Sequence, residues 1–177
     1  ENADKRKQWI VNGIQNGETL NHDQKCISYD QFINKDLIWF SIADLQRSIP
    51  CMVDGFKPSQ RKVLYACRKR SSNKELKVSQ LAGYVSTETS YHHGEQSLMG
   101  AIITMAQNYV GSNNMNLLNP NGQFVTRLIG GKDAASPRYI FTNLSNHGLS
   151  LFHKHDDPLY DYLDDDGFKI EPKYFVP

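Results

Sequence analysis

The chain has 177 residues, 39% apolar and 22% charged, which is typical of a globular protein with room for a proper core. Its formal net charge of +1 excludes a uniformly basic or acidic chain, but two opposite clusters lie behind that average. Eight basic residues and one acid lie between Lys57 and Lys77, whereas six aspartates and no basic residue lie between Asp156 and Asp166. The sequence therefore predicts a basic patch followed by an acidic tail.

Targeting signals and cysteines say little about the function of the chain. No signal peptide is visible, and the longest apolar stretch, around Ala101 to Ala106, is far too short to span a bilayer. Cys26, Cys51 and Cys67 are odd in number and lack metal-ligand spacing, so we expect buried thiols in a reducing compartment. Because the chain starts without methionine and ends within an apolar run, we interpret it as a piece of a longer polypeptide.

The first thirty residues are polar and weakly patterned. A short charged helix is predicted from about Asp4 to Val11, after which Gly13, Gly17 and Asn21 indicate a linker. Apolar residues become more frequent from residue 32 to residue 49. We therefore expect the main folded domain to begin at about residue 31.

The first helix of that domain is basic. Pro58 favours the first helical position, and the helix is predicted to end near Lys69. Several of its cations share one face, namely Lys57, Arg61, Arg68 and Lys69. Such a face is either solvated or bound to phosphate groups, and the pattern alone leaves both open.

Two further helices are predicted. One spans Lys77 to Tyr84, with Gly83 ending it. The other has apolar residues at helical spacing from Leu98 to Tyr109, and Gly111 provides its stop signal.

Two strands follow the helices. Asn119-Pro120-Asn121-Gly122 predicts a turn, and residues 124–129 and 139–144 read as strands on either side of a glycine-rich loop. Three helices followed by a two-stranded ribbon predict an α+β winged helix, that is, a helix-turn-helix with a wing.

The loop between the strands carries the most informative motif. Gly130, Gly131 and Lys132 precede Ser136-Pro137-Arg138-Tyr139. Glycines let the backbone approach a bulky anion, and arginine supplies a planar charge that suits phosphate. A phenol in this setting could attack a phosphodiester, although Tyr139 is otherwise read as an ordinary strand residue.

Two histidine clusters are candidates for binding. Tyr91-His92-His93-Gly94-Glu95 precedes the third helix, where a histidine can donate to an anion at the helix N-terminus. Adjacent histidines point in different directions and rarely chelate one metal, so no metal site is predicted. His153 and His155 lie beside two aspartates, in surroundings that favour a solvated loop with no assigned role.

These motifs together resemble eukaryotic-type (type IIA) DNA topoisomerase II. The resemblance rests on residues 130–142, on Tyr91-His92-His93 and on the segment from Asp54 to Leu64, and it covers about residues 4–177. One departure is Val125, where the family usually has glycine. The resemblance implies a transient double-strand break through a phosphotyrosine link, followed by strand passage and resealing.

Roles for individual residues follow from that resemblance. It implies that Tyr139 is the nucleophile, that Arg138 stabilises the transition state, and that Arg61 and His93 support the scissile phosphate. The positions that it implies for DNA contact are Arg6, Lys7, Lys57, Tyr91, His92 and Ser97.

The resemblance also implies what surrounds this segment. Residues 1–30 would end a TOPRIM domain and its linker, residues 31–165 would form the winged-helix domain, and residues 166–177 would begin a tower domain. Mg²⁺ and ATP would bind elsewhere in a nuclear, homodimeric parent enzyme that acts on double-stranded DNA, with no membrane partner. A large DNA virus is another source that the sequence leaves open.

Two other hypotheses compete with this one. The chain could be a non-enzymatic winged-helix DNA-binding module, in which Tyr139 has no chemical role. It could also come from the catalytic part of a bacterial gyrase-like enzyme, which the Tyr91-His92-His93 segment disfavours.

Overall fold

A computed structural model describes residues 2–126 and 128–177. The chain divides into two compact units, residues 1–50 and residues 51–177. The division lies twenty residues beyond the sequence-based boundary at residue 30. The class is α+β, as predicted, with helices and two small two-stranded sheets.

The first unit begins with helix α1, Ala3–Asn16. The Asn2 side chain caps its first turn, and Gly17 ends it in the left-handed conformation at a φ of 61°. The predicted helix was shorter because Gly13 was read as a breaker. Instead, Gly13 faces Ile38, and a Cβ there would lie 2.3 Å from the isoleucine side chain. The glycine therefore allows a close helix contact.

A nearly continuous helical segment completes this unit. It comprises α2, Tyr29–Phe32; a π-helical turn, Ile33–Leu37; and α3, Ile38–Ser48. Two tryptophans link it to the preceding residues. The indole of Trp9 donates to the Asn34 side chain at 2.9 Å, and that of Trp39 donates to the Glu18 carbonyl at 2.8 Å.

Three helices form the centre of the second unit: α4, Pro58–Lys69; α5, Val78–Thr89; and α6, Glu95–Ala106. The prediction for α4 is confirmed, including Pro58 in its first turn. The predicted end of α5 is wrong, because the helix passes through Gly83 and continues to Thr89. Helix α6 ends three residues before Tyr109. The side chains buried between these helices include Val63, Leu64, Leu81, Leu98 and Ile102, each at 0% exposure.

The strands pair differently from the prediction. Strand β1, Leu76–Lys77, is antiparallel to β2, Phe141–Thr142, and isolated bridges join Leu118 to Leu144 and Asn121 to Phe141. The predicted pairing of residues 124–129 with 139–144 is therefore wrong. Among the described residues of 124–129 none is in a strand; Arg127, within that range, lies outside the described residues. Phe124 is buried at 1% exposure, so it packs into the core from a loop.

The last part of the chain adds a helix and a hairpin. Helix α7, Asn146–Leu151, precedes a 3₁₀ segment, Lys154–Leu159. Strands β3, Tyr162–Asp165, and β4, Phe168–Pro172, are antiparallel. The two residues between them have positive φ, 51° for Asp166 and 84° for Gly167, which is the geometry of a tight type I′ turn. The sequence-based boundary at residue 165 thus falls inside this hairpin.

The cysteines match the prediction only partly. Cys67 is buried, and burial raises the pKa of its thiol to about 12. Cys26 is exposed and Cys51 is half-buried, so the expectation that all three are buried is wrong.

Candidate functional site

Tyr139 lies in a turn that is fixed to the N-terminus of α5. The Tyr139 amide donates to the Ser136 carbonyl at 2.8 Å. The Val78 amide donates to the Ile140 carbonyl at 3.0 Å, and the Ser79 amide donates to the Pro137 carbonyl at 3.2 Å. The first amides of a helix have no partner inside the helix, so these carbonyls serve as its cap. The backbone on both sides of Tyr139 is therefore held in place.

The Tyr139 side chain itself is open to solvent. It is 67% exposed, although the next residue, Ile140, is buried in the core. The Arg138 guanidinium carbon lies 5.2 Å from the centre of the Tyr139 ring, and Arg138 is also exposed. The structure thus brings the predicted nucleophile and the predicted stabilising cation together at the surface.

The glycine-rich loop is anchored by a buried glutamine at the end of α6. The Gln107 side-chain amide donates to the carbonyls of Phe124, at 3.0 Å, and Gly131, at 2.9 Å. Gly130 and Gly131 have φ of 61° and 91°, and a Cβ on Gly131 would lie 2.6 Å from the ring of Tyr109. The loop needs glycine at residue 131 for both reasons.

An aspartate closes the other side of this loop. Both carboxylate oxygens of Asp133 accept from the Thr126 amide, at 3.2 and 3.0 Å. Hydrogen bonding to Thr126 lowers the pKa of Asp133. Lys132, next to it, is exposed. The Asp133 carboxylate is therefore hydrogen-bonded to the backbone of the same loop.

Arg61 occupies a different environment from the one that the resemblance implied. Its guanidinium makes two bonds to the Asp54 carboxylate, at 2.7 and 2.9 Å, and one to the Phe56 carbonyl at 3.1 Å. The Arg61 side chain is 6% exposed and the Asp54 side chain is fully buried. Arg61 therefore ties the loop before α4 to the helix and is not open to a phosphate.

The other cations of α4 also have acidic partners. Lys62 pairs with Glu171 at 2.9 Å, Arg68 with Asp157 at 2.6 Å, and Lys69 with Glu88 at 2.6 Å. Lys62 donates in addition to the Thr89 carbonyl at 2.6 Å. The expected basic face of α4 is thus largely neutralised within the chain. Lys57, which precedes the helix, is exposed.

The Tyr91-His92-His93 segment lies just before α6. The rings of Tyr91 and His93 meet edge to face, with centroids 5.4 Å apart. His92 turns to the β3–β4 hairpin, where its Nε2 lies 3.1 Å from the Asp165 carboxylate. Both histidines and Ser97 are exposed. The two histidines therefore have different neighbours.

These two groups of residues lie at opposite ends of α5. Tyr139 is held at the first residues of this 12-residue helix, and Tyr91-His92-His93 follows its last turn. A helix of that length spans about 18 Å. The structure thus places the Tyr139 turn and the Tyr91-His92-His93 segment at different ends of this helix.

Arg6 and Lys7 belong to the first unit. Both lie on α1, where Lys7 makes an exposed ion pair with Asp4 at 3.7 Å. Both also line an apolar groove between α1 and α3, with a volume of about 660 Å³.

The described residues contain no group of three or more His, Cys, Asp or Glu side chains placed to hold a metal ion. His153 and His155 stack edge to face with centroids 4.7 Å apart, and the His153 ring accepts from the His155 amide. Across the part of the chain that the structure covers, no helix is both long and apolar enough to cross a membrane.

Three supporting residues were missed in the sequence, namely Asp54, Gln107 and Asp165. Asp54 was read only as the start of the segment from Asp54 to Leu64, and Gln107 offers no local signal. Asp165 was assigned to an acidic tail. The Asp166-Gly167 pair that follows it is a strong hairpin signal and could have revealed the turn.

The sequence and the fold together define the class of protein to which this chain belongs. The chain belongs to the DNA gyrase/topoisomerase IV family of A-type subunits, whose model matches residues 47–177. Residues 1–45 match the C-terminal associated domain of TOPRIM.

Within that class the chain is similar to the eukaryotic enzymes. It is 59% identical to DNA topoisomerase 2 of Arabidopsis thaliana and 52% identical to human DNA topoisomerase 2-beta, over 97% and 98% of its own length. It spans only 12% and 11% of those two proteins. The crystal structure of the Plasmodium falciparum topoisomerase II DNA-binding, cleavage and re-ligation domain matches 98% of this chain and 24% of that one. The TM-score is 0.84 at 52% identity. The resemblance to eukaryotic-type topoisomerase II is confirmed.

Proposed function

We propose that this chain is the DNA-cleavage segment of a type II topoisomerase and that Tyr139 is its nucleophile. One observation carries the proposal: a solvent-exposed phenol lies beside an exposed arginine on a turn whose backbone is fixed by the α5 N-terminus. Catalysis requires a positioned nucleophile together with charge stabilisation. This turn supplies both.

The reaction is an exchange of phosphodiesters. The Tyr139 oxygen attacks phosphorus and loses its proton, a new O–P bond forms, and the bond to the leaving deoxyribose oxygen breaks as that oxygen takes up a proton. A free phenol has a pKa of about 10, so the ionised form must be favoured in the transition state. Arg138 would neutralise charge that builds on the phosphate. Since the phosphotyrosine keeps a phosphodiester bond, resealing needs no outside energy source.

Other residues would hold the DNA backbone. Tyr91, His92, His93 and Ser97 lie at the start of α6, where a helix N-terminus favours anions, and Lys57 is exposed before α4. Arg6 and Lys7 would contact DNA from the first unit. Because Asp54 holds Arg61, we assign Arg61 an indirect part: it fixes the loop that carries Lys57. Direct contact with phosphate would require Arg61 to leave that pair.

The parent enzyme would supply what this segment does not. We propose that Mg²⁺ is bound by a TOPRIM domain and ATP by an ATPase domain elsewhere in the protein. The metal would neutralise charge at the phosphate. Two strands of a duplex need two tyrosines, so the parent would be a homodimer acting on double-stranded DNA, in the nucleus. We further propose that residues 1–30 end the TOPRIM region, residues 31–165 form a winged-helix domain and residues 166–177 begin a tower domain.

Covalent trapping tests this proposal. The parent enzyme, wild type or Tyr139→Phe, is mixed with end-labelled duplex and magnesium and then quenched in detergent. We expect a labelled protein–DNA adduct with wild type and none with Tyr139→Phe. Tyr29→Phe is the matched control, because Tyr29 is 90% exposed and the variant should form the adduct normally.

The other outcomes separate the alternatives. An adduct that persists in Tyr139→Phe would mean that another tyrosine is the nucleophile. No adduct with any variant, while duplex binding is intact, would favour a non-enzymatic DNA-binding module.

A further inference from the structure

The β3–β4 hairpin delivers a carboxylate to the predicted DNA-binding surface. Asp165 ends β3, and its Oδ2 lies 3.1 Å from Nε2 of His92, 73 residues away in the chain. His92 remains 78% exposed in its side chain, whereas Asp165 is 35% exposed. The contact therefore fixes one edge of the imidazole and leaves most of the ring facing solvent.

The carboxylate is itself held firmly. The side chains of His92 and Ser90 both hydrogen-bond to Asp165, and they lower its pKa. The Asp164 carboxylate accepts from the Gly167 amide at 2.9 Å and closes the turn. Strand β4 is anchored in turn by the ion pair between Glu171 and Lys62. Asp165 is thus an ionised group on a supported hairpin.

The contact with Asp165 occupies one of the two ring nitrogens of His92 and leaves the other available. A carboxylate on Nε2 keeps the proton on that nitrogen, so the second nitrogen, Nδ1, is the one that can meet a ligand. A phosphate oxygen needs a donor, which Nδ1 becomes when the ring is protonated. A protonated imidazole that donates its Nε2–H to Asp165 has its Nδ1–H left to donate to an anion.

We propose that Asp165 is a positioning residue for DNA binding, which orients His92 so that the ring presents Nδ1 to a backbone phosphate. This proposal rests on the proposed function, since it assumes that DNA lies against this surface. In this proposal Asp165 does not touch DNA and acts only through His92. Its effect on DNA affinity should therefore depend on His92, whereas a general effect of its negative charge would not.

A double-mutant cycle with the parent enzyme tests the proposal. Duplex affinity is measured by fluorescence anisotropy in EDTA at several salt concentrations for wild type, Asp165→Ala, His92→Ala and the double variant. We expect Asp165→Ala to weaken binding about threefold to fivefold and to reduce the salt dependence. In the His92→Ala background, Asp165→Ala should have no further effect.

The controls distinguish a specific contact from charge and from folding. Asp166→Asn removes the same charge from the same turn, at an exposed residue whose φ of 51° asparagine accepts, and binding should not weaken. Equal weakening by Asp165→Ala in both backgrounds would show a merely structural role and overturn the proposal. Tighter binding by Asp165→Ala would show that the carboxylate competes with phosphate, and would overturn it too.

The outcome is independent of the cleavage proposal. The same preparations are assayed for the covalent adduct. If wild type binds duplex but forms no adduct, the proposed function fails and the cycle still reports on Asp165. If wild type forms the adduct and the cycle shows no coupling, only the Asp165 proposal fails.

Discussion

Two arginines in the second unit illustrate opposite uses of one side chain. Arg61 is buried and makes three hydrogen bonds to the loop before α4. Arg138 is exposed, with its guanidinium over the ring of Tyr139. Both were predicted from the sequence to act on the same phosphate. The structure shows that the partner, and not the residue type, determines the environment of each.

The difference follows from the cost of burying charge. A buried cation is tolerated only where an acid and further acceptors replace its water shell, and Asp54 and the Phe56 carbonyl do so for Arg61. A surface cation such as Arg138 keeps its hydration and contributes little to folding. It is therefore able to exchange water for a phosphate at low cost. Stability and function should respond to these two arginines in opposite ways.

The largest expected effect concerns stability. Asp54→Ala leaves the Arg61 charge buried without its acid, and we expect it to lower the free energy of unfolding by about 3–5 kcal/mol. Arg138→Ala should change it by less than about 0.5 kcal/mol. Urea unfolding of the 177-residue chain measures both. Equal losses for the two variants would contradict the contrast between a structural and a surface arginine.

A smaller effect should appear in acid. Burial alone would raise the pKa of Asp54, but hydrogen bonds from Arg61 and from the amides of Phe175 and Phe56 hold it below its ordinary value of 3.8. The pair therefore contributes full stability above that value, and the contribution disappears as pH falls through the lower pKa of the folded state.

Urea midpoints from about pH 6 to about pH 2.5 test this, with Asp54→Asn as the reference. The advantage of wild type over the variant should be constant near neutrality and shrink in acid. A gap that does not change with pH would mean that Asp54 is not an ionised partner of Arg61.

The smallest effect concerns Lys57, the exposed cation before α4. Lys57→Ala should weaken duplex binding by the parent enzyme about twofold to threefold and reduce the slope of log affinity against log salt by about 1. Lys154→Ala, on the 3₁₀ segment, serves as an exposed basic control. An unchanged salt slope would remove Lys57 from the proposed DNA surface and leave the neutralised helix without a binding role.

Local signals carried most of the successful predictions. Helix α4 was predicted from Pro58 and helical patterning within twelve residues, whereas the chemical roles of Arg138 and Tyr139 stay predictions from one short motif. The predictions that failed concern partners far away in sequence. Lys62 pairs with Glu171, which is 109 residues away. The helical pattern of α4 contains no information about a partner that distant.

Glycine produced the other errors. Gly13 and Gly83 were read as breaks, but both lie inside helices, Gly13 against Ile38 and Gly83 with open space around it. A glycine within a helix costs about 1 kcal/mol relative to alanine, which tertiary packing can offset. Residues 124–129 have the composition of a strand, but the Phe124 side chain is buried and the Phe124 carbonyl accepts from the buried Gln107 side chain. Sequence patterns give propensities, and the contacts of the whole unit decide among them.

The hairpin at the end of the second unit has a practical consequence for preparing shorter versions of the protein. A fragment that stops at residue 165, where the sequence suggested a boundary, would lose Glu171, the acid that neutralises Lys62. It would also lose Phe175, whose ring is 1% exposed and whose amide donates to Asp54 at 3.0 Å. Phe175 is therefore the earliest safe C-terminal end for a recombinant fragment of this unit.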